Sequence, residues 1–295
     1  MSYSQPPLKR SRSFDEDSIL MYTYSTDIPS APISHQSDRL SRFASVVRDY
    51  EISEKMALHL RKLERFDIVV IADDSGSMLT PLTPISSTSP SQTRWDELKG
   101  QVQIITRIAT CLDSDGIDIY FLNRSGLNNV TETSQIDQLF SNPPRGYTPL
   151  TRVLRQAISD KHHVINDPEL GKSLLVIIIT DGQPTTDDGY SDIKTFLDEL
   201  NKRPDNVHVS IVACTDDDRT LEYLNTLDDN SVHLDVVDDY INERKEILEA
   251  QGSNFPFSYG DYVVKILCGS VVKELDELDS RKGSSSSSSE GCVIL

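Results

Sequence analysis

Along this chain the apolar positions fall into two rhythms. Ile68-Val69-Val70-Ile71-Ala72 is an unbroken apolar run, the pattern of a strand buried on both faces. Trp95, Leu98, Val102, Ile105, Ile108 and Leu112 keep a helical period behind a Thr93-x-x-Asp96 start signal. Ile117 to Leu122 reads as a second strand, Leu150 to Ile158 as a helix, and Leu174 to Ile179 as a central strand. A helix carrying Ile193, Phe196, Leu197 and Leu200 then leads to a strand at Val207 to Ala213. A short helix at Leu221 to Leu227, a strand at Val232 to Val237 and a helix at Tyr240 to Leu248 complete the series. This alternation predicts the α/β class, with a mainly parallel central sheet and helices on both faces.

The flanks read differently. Residues 1–48 are rich in Ser, Pro, Asp and Arg without apolar periodicity, which predicts a disordered leader. Its basic cluster, Lys9-Arg10-Ser11-Arg12, reads as a solvated tail rather than a localisation signal. Residues 49–65 predict a lead-in helix, with Ile52, Met56, Leu60 and Leu63 at helical spacing. The alternating domain then occupies residues 66–250. Within residues 251–280 a last helical pattern runs from Tyr259 to Asp279, with Val263, Leu267, Val271, Leu275 and Leu278 on the side expected to pack on the domain. Residues 281–295 form a tail with six consecutive serines and no capacity for a core. No internal repeat is present.

Charge narrows the partners. The 295 residues carry a net charge of −18, and residues 181–295 alone hold 25 acidic against 10 basic side chains. Such a surface repels phosphate backbones and anionic lipid, so neither nucleic acid nor electrostatic membrane docking is expected. The longest aliphatic run, Leu174 to Ile179, is far short of the roughly 20 residues that span a bilayer. The amino-terminal residues show no apolar signal-peptide core. Cys111, Cys214, Cys268 and Cys292 are scattered without metal-ligand or disulfide-framework spacing, which predicts a reducing, cytoplasmic setting.

Candidate chemistry gathers at three strand and loop ends. The first strand runs into Asp73-Asp74-Ser75-Gly76-Ser77, and the central one into Thr180-Asp181-Gly182-Gln183-Pro184-Thr185. Between them lies Gly146-Tyr147-Thr148-Pro149-Leu150, with proline at a helix start. Ligands of open α/β sheets bind at the carboxyl ends of strands. Taken singly, each segment has an ordinary reading: turn serines, a helix-capping threonine, a strand-end aspartate. Together they offer two carboxylates and three hydroxyls, all hard oxygen donors of the kind that Mg²⁺ prefers.

The order Asp-x-Ser-x-Ser, a distant Thr and then an Asp after a central strand resembles the metal-ion-dependent adhesion site of the von Willebrand factor type A (vWA) domain family. Asp73, Ser75, Ser77, Thr148 and Asp181 match its five positions, and the run Ile178 to Thr185 looks like the family's second signature. The likeness covers residues 66–250. It implies a Rossmann-like three-layer fold and one divalent ion, Mg²⁺ or alternatively Mn²⁺ or Ca²⁺. It further implies that Ser75, Ser77 and either Thr148 or Asp181 ligate directly, with Asp73 acting largely through water. A partner protein's Asp or Glu would complete the coordination. Asp74, at the motif's variable position, is expected to be a solvent-facing carboxylate. Met78 to Gln92, rich in Pro, Ser and Thr, is longer than a minimal version of the fold needs. It is read as a rim beside the site, in which Thr80, Thr83 and Ser89 each precede proline, or as a passive insertion.

Other functions fit less well. Asp73 could suggest an aspartyl-phosphate phosphatase of the haloacid dehalogenase type, but Ser75 stands where that family's second carboxylate belongs. There is no Gly-x-Ser-x-Gly elbow of a serine hydrolase. Gly171-Lys172-Ser173 precedes its strand, and residue 166 is Asn rather than the first Gly of a phosphate loop. His162-His163 reads as a solvated helix end. The expectation is therefore a binding module rather than an enzyme, with a scaffold whose metal site is inert as the remaining alternative. Finally, Cys292-Val293-Ile294-Leu295 fits C-a-a-X, whose terminal Leu favours geranylgeranylation of Cys292. A lipid there, on the serine tether and with only Arg281 and Lys282 as basic support, would be the sole membrane contact and would hold the protein reversibly at a cytosolic membrane face.

Overall fold

The computed structural model describes residues 33–82, 92–215, 223–224 and 232–280. At its centre is a six-stranded sheet of β1 (Phe66–Ala72), β2 (Ile117–Phe121), β3 (Leu127–Val130), β4 (Ser173–Thr180), β5 (Val207–Ala213) and β6 (Leu234–Val237), in the order β3-β2-β1-β4-β5-β6. All neighbours are parallel except β3, which runs antiparallel to β2. β1 lies in the middle, with Val70 opposite Ile119 on one side and Ile177 on the other. The three-layer α/β class expected from the sequence is the class observed.

Both faces of the sheet are covered, and the strands alternate accordingly. Ile68, Val70, Ile177 and Ile179 enter one core with Trp95, Leu98, Val102, Ile105 and Ile108 of α3 (Arg94–Leu112). Val69, Ile71, Val176 and Ile178 enter the other, with Leu150, Val153 and Leu154 of α5 (Leu150–Asp160), which the short α6 (His162–Asn166) follows, and Phe196 and Leu200 of α7 (Ile193–Lys202). Thr93 and Asp96 cap α3 reciprocally, as their spacing predicted. The edge strand β3 and the helix α4 (Thr133–Leu139) were not anticipated. Three of the four β3 residues are exposed, so its sequence carries no apolar alternation to read.

The flanks correct three expectations. Residues 33–48 belong to no disordered leader, because Ile33–Asp49 is a helix, α1. Its apolar stripe is narrow, with Phe43, Val46 and Val47 against the core, and charged groups do the rest. Arg39 reaches the Cys111 carbonyl (2.5 Å) and Glu64 (2.9 Å), while Asp49 pairs with Arg107 (2.8 Å). The lead-in helix is shorter than its pattern. Glu51 takes a positive φ of 55°, α2 spans only Glu54–His59, and Leu60–Arg65 is a 3₁₀ turn. The last helical pattern is broken as well, into α9 (Tyr259–Cys268), a 3₁₀ turn at Gly269–Val271 and α10 (Lys273–Asp276). Gly260 through Cys268 are all buried. Lys265, also fully buried, pairs with Glu243 of α8 (Tyr240–Gln251) at 2.9 Å and with Asp279 at 2.7 Å.

Among the described residues no helix is long and apolar enough to cross a membrane. Lys9 to Arg12, Thr83, Ser89, the serine tail with Arg281 and Lys282, and Cys292 lie outside the described residues, as does the Leu221–Leu227 helix apart from Tyr223 and Leu224. The sixth strand begins two residues later than its apolar run, because Val232 is exposed in a turn and His233 takes a positive φ of 61°.

Candidate metal centre

The strand order dictates where a ligand can sit. From β1 the chain winds outward through β2 to β3, then returns to place β4 on the other side of β1 and winds the opposite way. The carboxyl ends of β1 and β4 therefore flank the point at which the winding reverses, where α/β sheets open a crevice. Ala72 is in register with Ile179, and the Asp73 amide donates to the Ile179 carbonyl (3.0 Å). Asp73 and Asp181 are brought together by this pairing alone.

Four of the five expected residues, Asp73, Ser75, Ser77 and Asp181, are linked by hydrogen bonds, and the fifth, Thr148, lies beside Gly182. Asp73 is fully buried, and both its oxygens are held: one accepts the Ser75 amide (2.8 Å), the other the Thr180 hydroxyl (2.5 Å). The Ser75 and Ser77 hydroxyl oxygens lie 3.0 Å apart, and the Ser77 hydroxyl donates to Asp181 Oδ1 (2.7 Å). Gly76 ties this loop to the next through its amide and the Gly146 carbonyl (3.2 Å). Thr148 is fixed by exchange with Thr185: its amide donates to the Thr185 hydroxyl (3.0 Å), and its carbonyl accepts the Thr185 amide (2.9 Å). Gly182 lies against the Thr148 hydroxyl, since a Cβ there would sit 3.5 Å from Oγ1. That hydroxyl has no hydrogen-bond partner among the described residues. Ser75, Thr148 and Asp181 are buried, whereas Ser77 is exposed, so the cluster opens to solvent at Ser77.

Two neighbours were not foreseen. Asp74 is not solvent-facing but fully buried, accepting from Arg124 Nε (2.6 Å) and from the Asn123 amide (2.8 Å). Successive residues leaving a strand point to opposite sides, so Asp74 turns away from the serines that Asp73 supports. Arg94, the first residue of α3, donates from Nη1 to Asp181 Oδ2 (2.8 Å) and from Nη2 to the Thr215 hydroxyl (3.1 Å). The sequence held a clue to it. A helix amino terminus carries partial positive charge and favours acids, so an arginine at its first position needs a compensating partner elsewhere.

Burial dominates the electrostatics at the cluster and beside it. Burial pushes the Asp73 carboxyl up to about 6; the Thr180 hydroxyl bond pulls it down, and the nearby Asp181 charge raises it further. Burial likewise raises Glu97, one turn along α3, to about 7, with Asp239 adding to the shift and Arg94 opposing it.

Among the described residues no three His, Cys, Asp or Glu side chains cluster to hold a metal, so any site here depends on hydroxyls. The donor set suits a hard ion. Two oxygens on adjacent corners of an octahedron with about 2.1 Å bonds lie about 3 Å apart, the separation of the two serine hydroxyls. No protein-family profile matches the chain, and no curated protein matches it.

Proposed function

We propose that this chain is a metal-dependent protein-binding module of the vWA type. The observation that carries the reading is the run of contacts from the Ser75 hydroxyl through that of Ser77 to Asp181, with the Thr148 hydroxyl beside Gly182 and Ser77 open to solvent. Ser75, Ser77 and Thr148 would hold a divalent ion, Mg²⁺ or in its place Mn²⁺ or Ca²⁺, with Asp181 and Asp73 behind them. When bound, such an ion supplies a positively charged position at which a carboxylate of a partner's Asp or Glu becomes a ligand. Asp73 acts from below: its held oxygens fix the Ser75 amide and so the turn that aims both serines. Asp181 orients the Ser77 hydroxyl. Because the three hydroxyls bring no charge and Arg94 offsets one of the two carboxylates behind them, the site does not fully neutralise the ion, and an acidic side chain is attracted in spite of the chain's net −18.

The phosphatase reading is less well supported, because an attacking carboxylate needs a free oxygen and both oxygens of Asp73 are engaged. The described cysteines, Cys111, Cys214 and Cys268, are free and buried, which favours a reducing, intracellular setting.

Calorimetric titration of the full chain with MgCl₂ should show one binding event, greatly weakened in Ser75→Ala/Ser77→Ala. Equal binding by that double variant rejects the site. Proteins recovered with the wild type in Mg²⁺, and lost both in chelator and with Asp181→Ala, are the expected partners. Recovery that survives chelation favours the inert scaffold.

A further inference from the structure

The arginine at the edge of the cluster has a role that the five-residue site does not include. We propose that Arg94 is a resident counter-cation of the metal centre. It holds Asp181 when no ion is present and competes electrostatically with the ion when one binds. This rests on the metal reading above and extends it to a residue outside that motif.

The geometry divides Asp181 between two tasks. Oδ1 faces the hydroxyl cluster through Ser77, while Oδ2 takes the Arg94 guanidinium. The Asp181 side chain is fully buried and that of Arg94 is 14% exposed, so the charges meet where water screens them little. Thr215 fixes the second guanidinium nitrogen, so that Arg94 is aimed rather than merely near.

Position makes the residue harder to explain as ordinary helix chemistry. At the first turn of α3 the other charged residues are Asp96 and Glu97, as the helix dipole favours, and Arg94 opposes that trend. Its position is nevertheless fixed by a closed circuit of hydrogen bonds. The Ser77 carbonyl accepts the Thr80 amide (2.8 Å), and the Thr80 carbonyl accepts the Arg94 amide (3.1 Å). The Arg94 guanidinium donates to Asp181, and Asp181 accepts the Ser77 hydroxyl. The circuit as a whole joins the metal motif to the stem of the 78–92 loop, which is closed by a bridge between Pro81 and Thr93.

The consequence is a site of net charge −1 rather than −2 once Asp73, Asp181 and Arg94 are counted together. A divalent ion enters against a fixed positive charge, so the resident arginine weakens its binding. The same arginine relieves the repulsion between two buried carboxylates while the site is empty of metal.

The test compares wild type, Arg94→Gln and Arg94→Lys in calorimetric titrations with MgCl₂, and their melting temperatures in EDTA and in Mg²⁺. Arg94→Gln should bind Mg²⁺ about tenfold more tightly. It should also melt lower than wild type in EDTA and gain more from added Mg²⁺. Arg94→Lys, which keeps the charge, should stay close to wild type. A merely structural arginine would weaken metal binding when lost, so unchanged or weaker binding by Arg94→Gln overturns the proposal. If the glutamine variant does not fold in EDTA, Arg94→Met carries the same comparison at saturating and limiting Mg²⁺. A wild type that takes up no Mg²⁺ at all defeats the metal reading itself, whereas a wild type that binds while Arg94→Gln binds identically defeats only the role of Arg94.

Discussion

At the scale of single residues, the two neighbouring aspartates after β1 show how position divides chemistry. Asp73 supports the serine turn, and Asp74, one residue on, anchors the opposite loop through Arg124 and Asn123. Asp74→Asn should therefore cost about 2–3 kcal/mol of stability, because Arg124 loses a buried charge partner while keeping the carbonyls of Asn142 and Pro143. Mg²⁺ binding should be unchanged. Urea denaturation together with calorimetry checks both halves, and a large loss of metal affinity would place Asp74 in the site after all. The sequence made Asp73, Ser75, Ser77, Thr148 and Asp181 legible because their spacing after strands is a pattern along the chain. It left the partners of Asp74 and Arg94 hidden, since they lie 50 and 87 residues away and leave no periodic trace, although an arginine opening a helix hinted that Arg94 has one.

Among elements, the buried strands and α3, α5 and α7 were legible for a simple reason. Apolar runs and helical periods are long there, and burial on the sheet fixes them. Elements held by polar contacts were not: α1 docks through Arg39 and Asp49, and β3 is an exposed edge. Helix α9 is a different case: it begins at Tyr259, where its pattern was read, and is apolar around nearly its whole circumference because other elements enclose it. Its first turn approaches the lead-in segment so closely that a Cβ on Gly260 would lie 2.2 Å from the Tyr50 carbonyl oxygen. Asp261 seals the same joint, one oxygen accepting the Ser53 amide (2.7 Å) and the other the Ser258 amide (3.1 Å). Gly260→Ala should thus push α9 off Tyr50 at a cost of about 2–3 kcal/mol, seen as a lower urea midpoint. A midpoint equal to wild type would mean that the two segments are not in contact in solution.

Across the whole molecule, acid should act in two directions. His208 on β5 is buried against Phe66 and His233, with Nδ1 2.8 Å from the Ser270 carbonyl. Burial lowers it to about 4; the Ser270 bond opposes this, and the charges of His233 and Arg203 add to it. Below pH 6.5 the unfolded chain therefore takes up a proton that the folded chain refuses. Stability from this group is complete above that pH and falls as the pH drops toward 4. Asp73, raised to about 6, and Glu97, raised to about 7, act oppositely and favour the folded state as acid is added. His208→Gln, which retains an N–H donor, isolates one contribution. Its stability difference from wild type should shrink by about 2 kcal/mol between pH 7.5 and 4.5, allowing for partial screening, and parallel curves would refute the assignment. The joint between metal motif and loop has an optical consequence as well. Trp95, the single tryptophan of the chain, follows Arg94 directly and packs on Phe140 and Phe121, with the Arg124 guanidinium 5.4 Å from its ring. One indole thus touches the arginine that grips Asp74 and is the backbone neighbour of the arginine that grips Asp181. Loading of the site should register in its fluorescence without any added label.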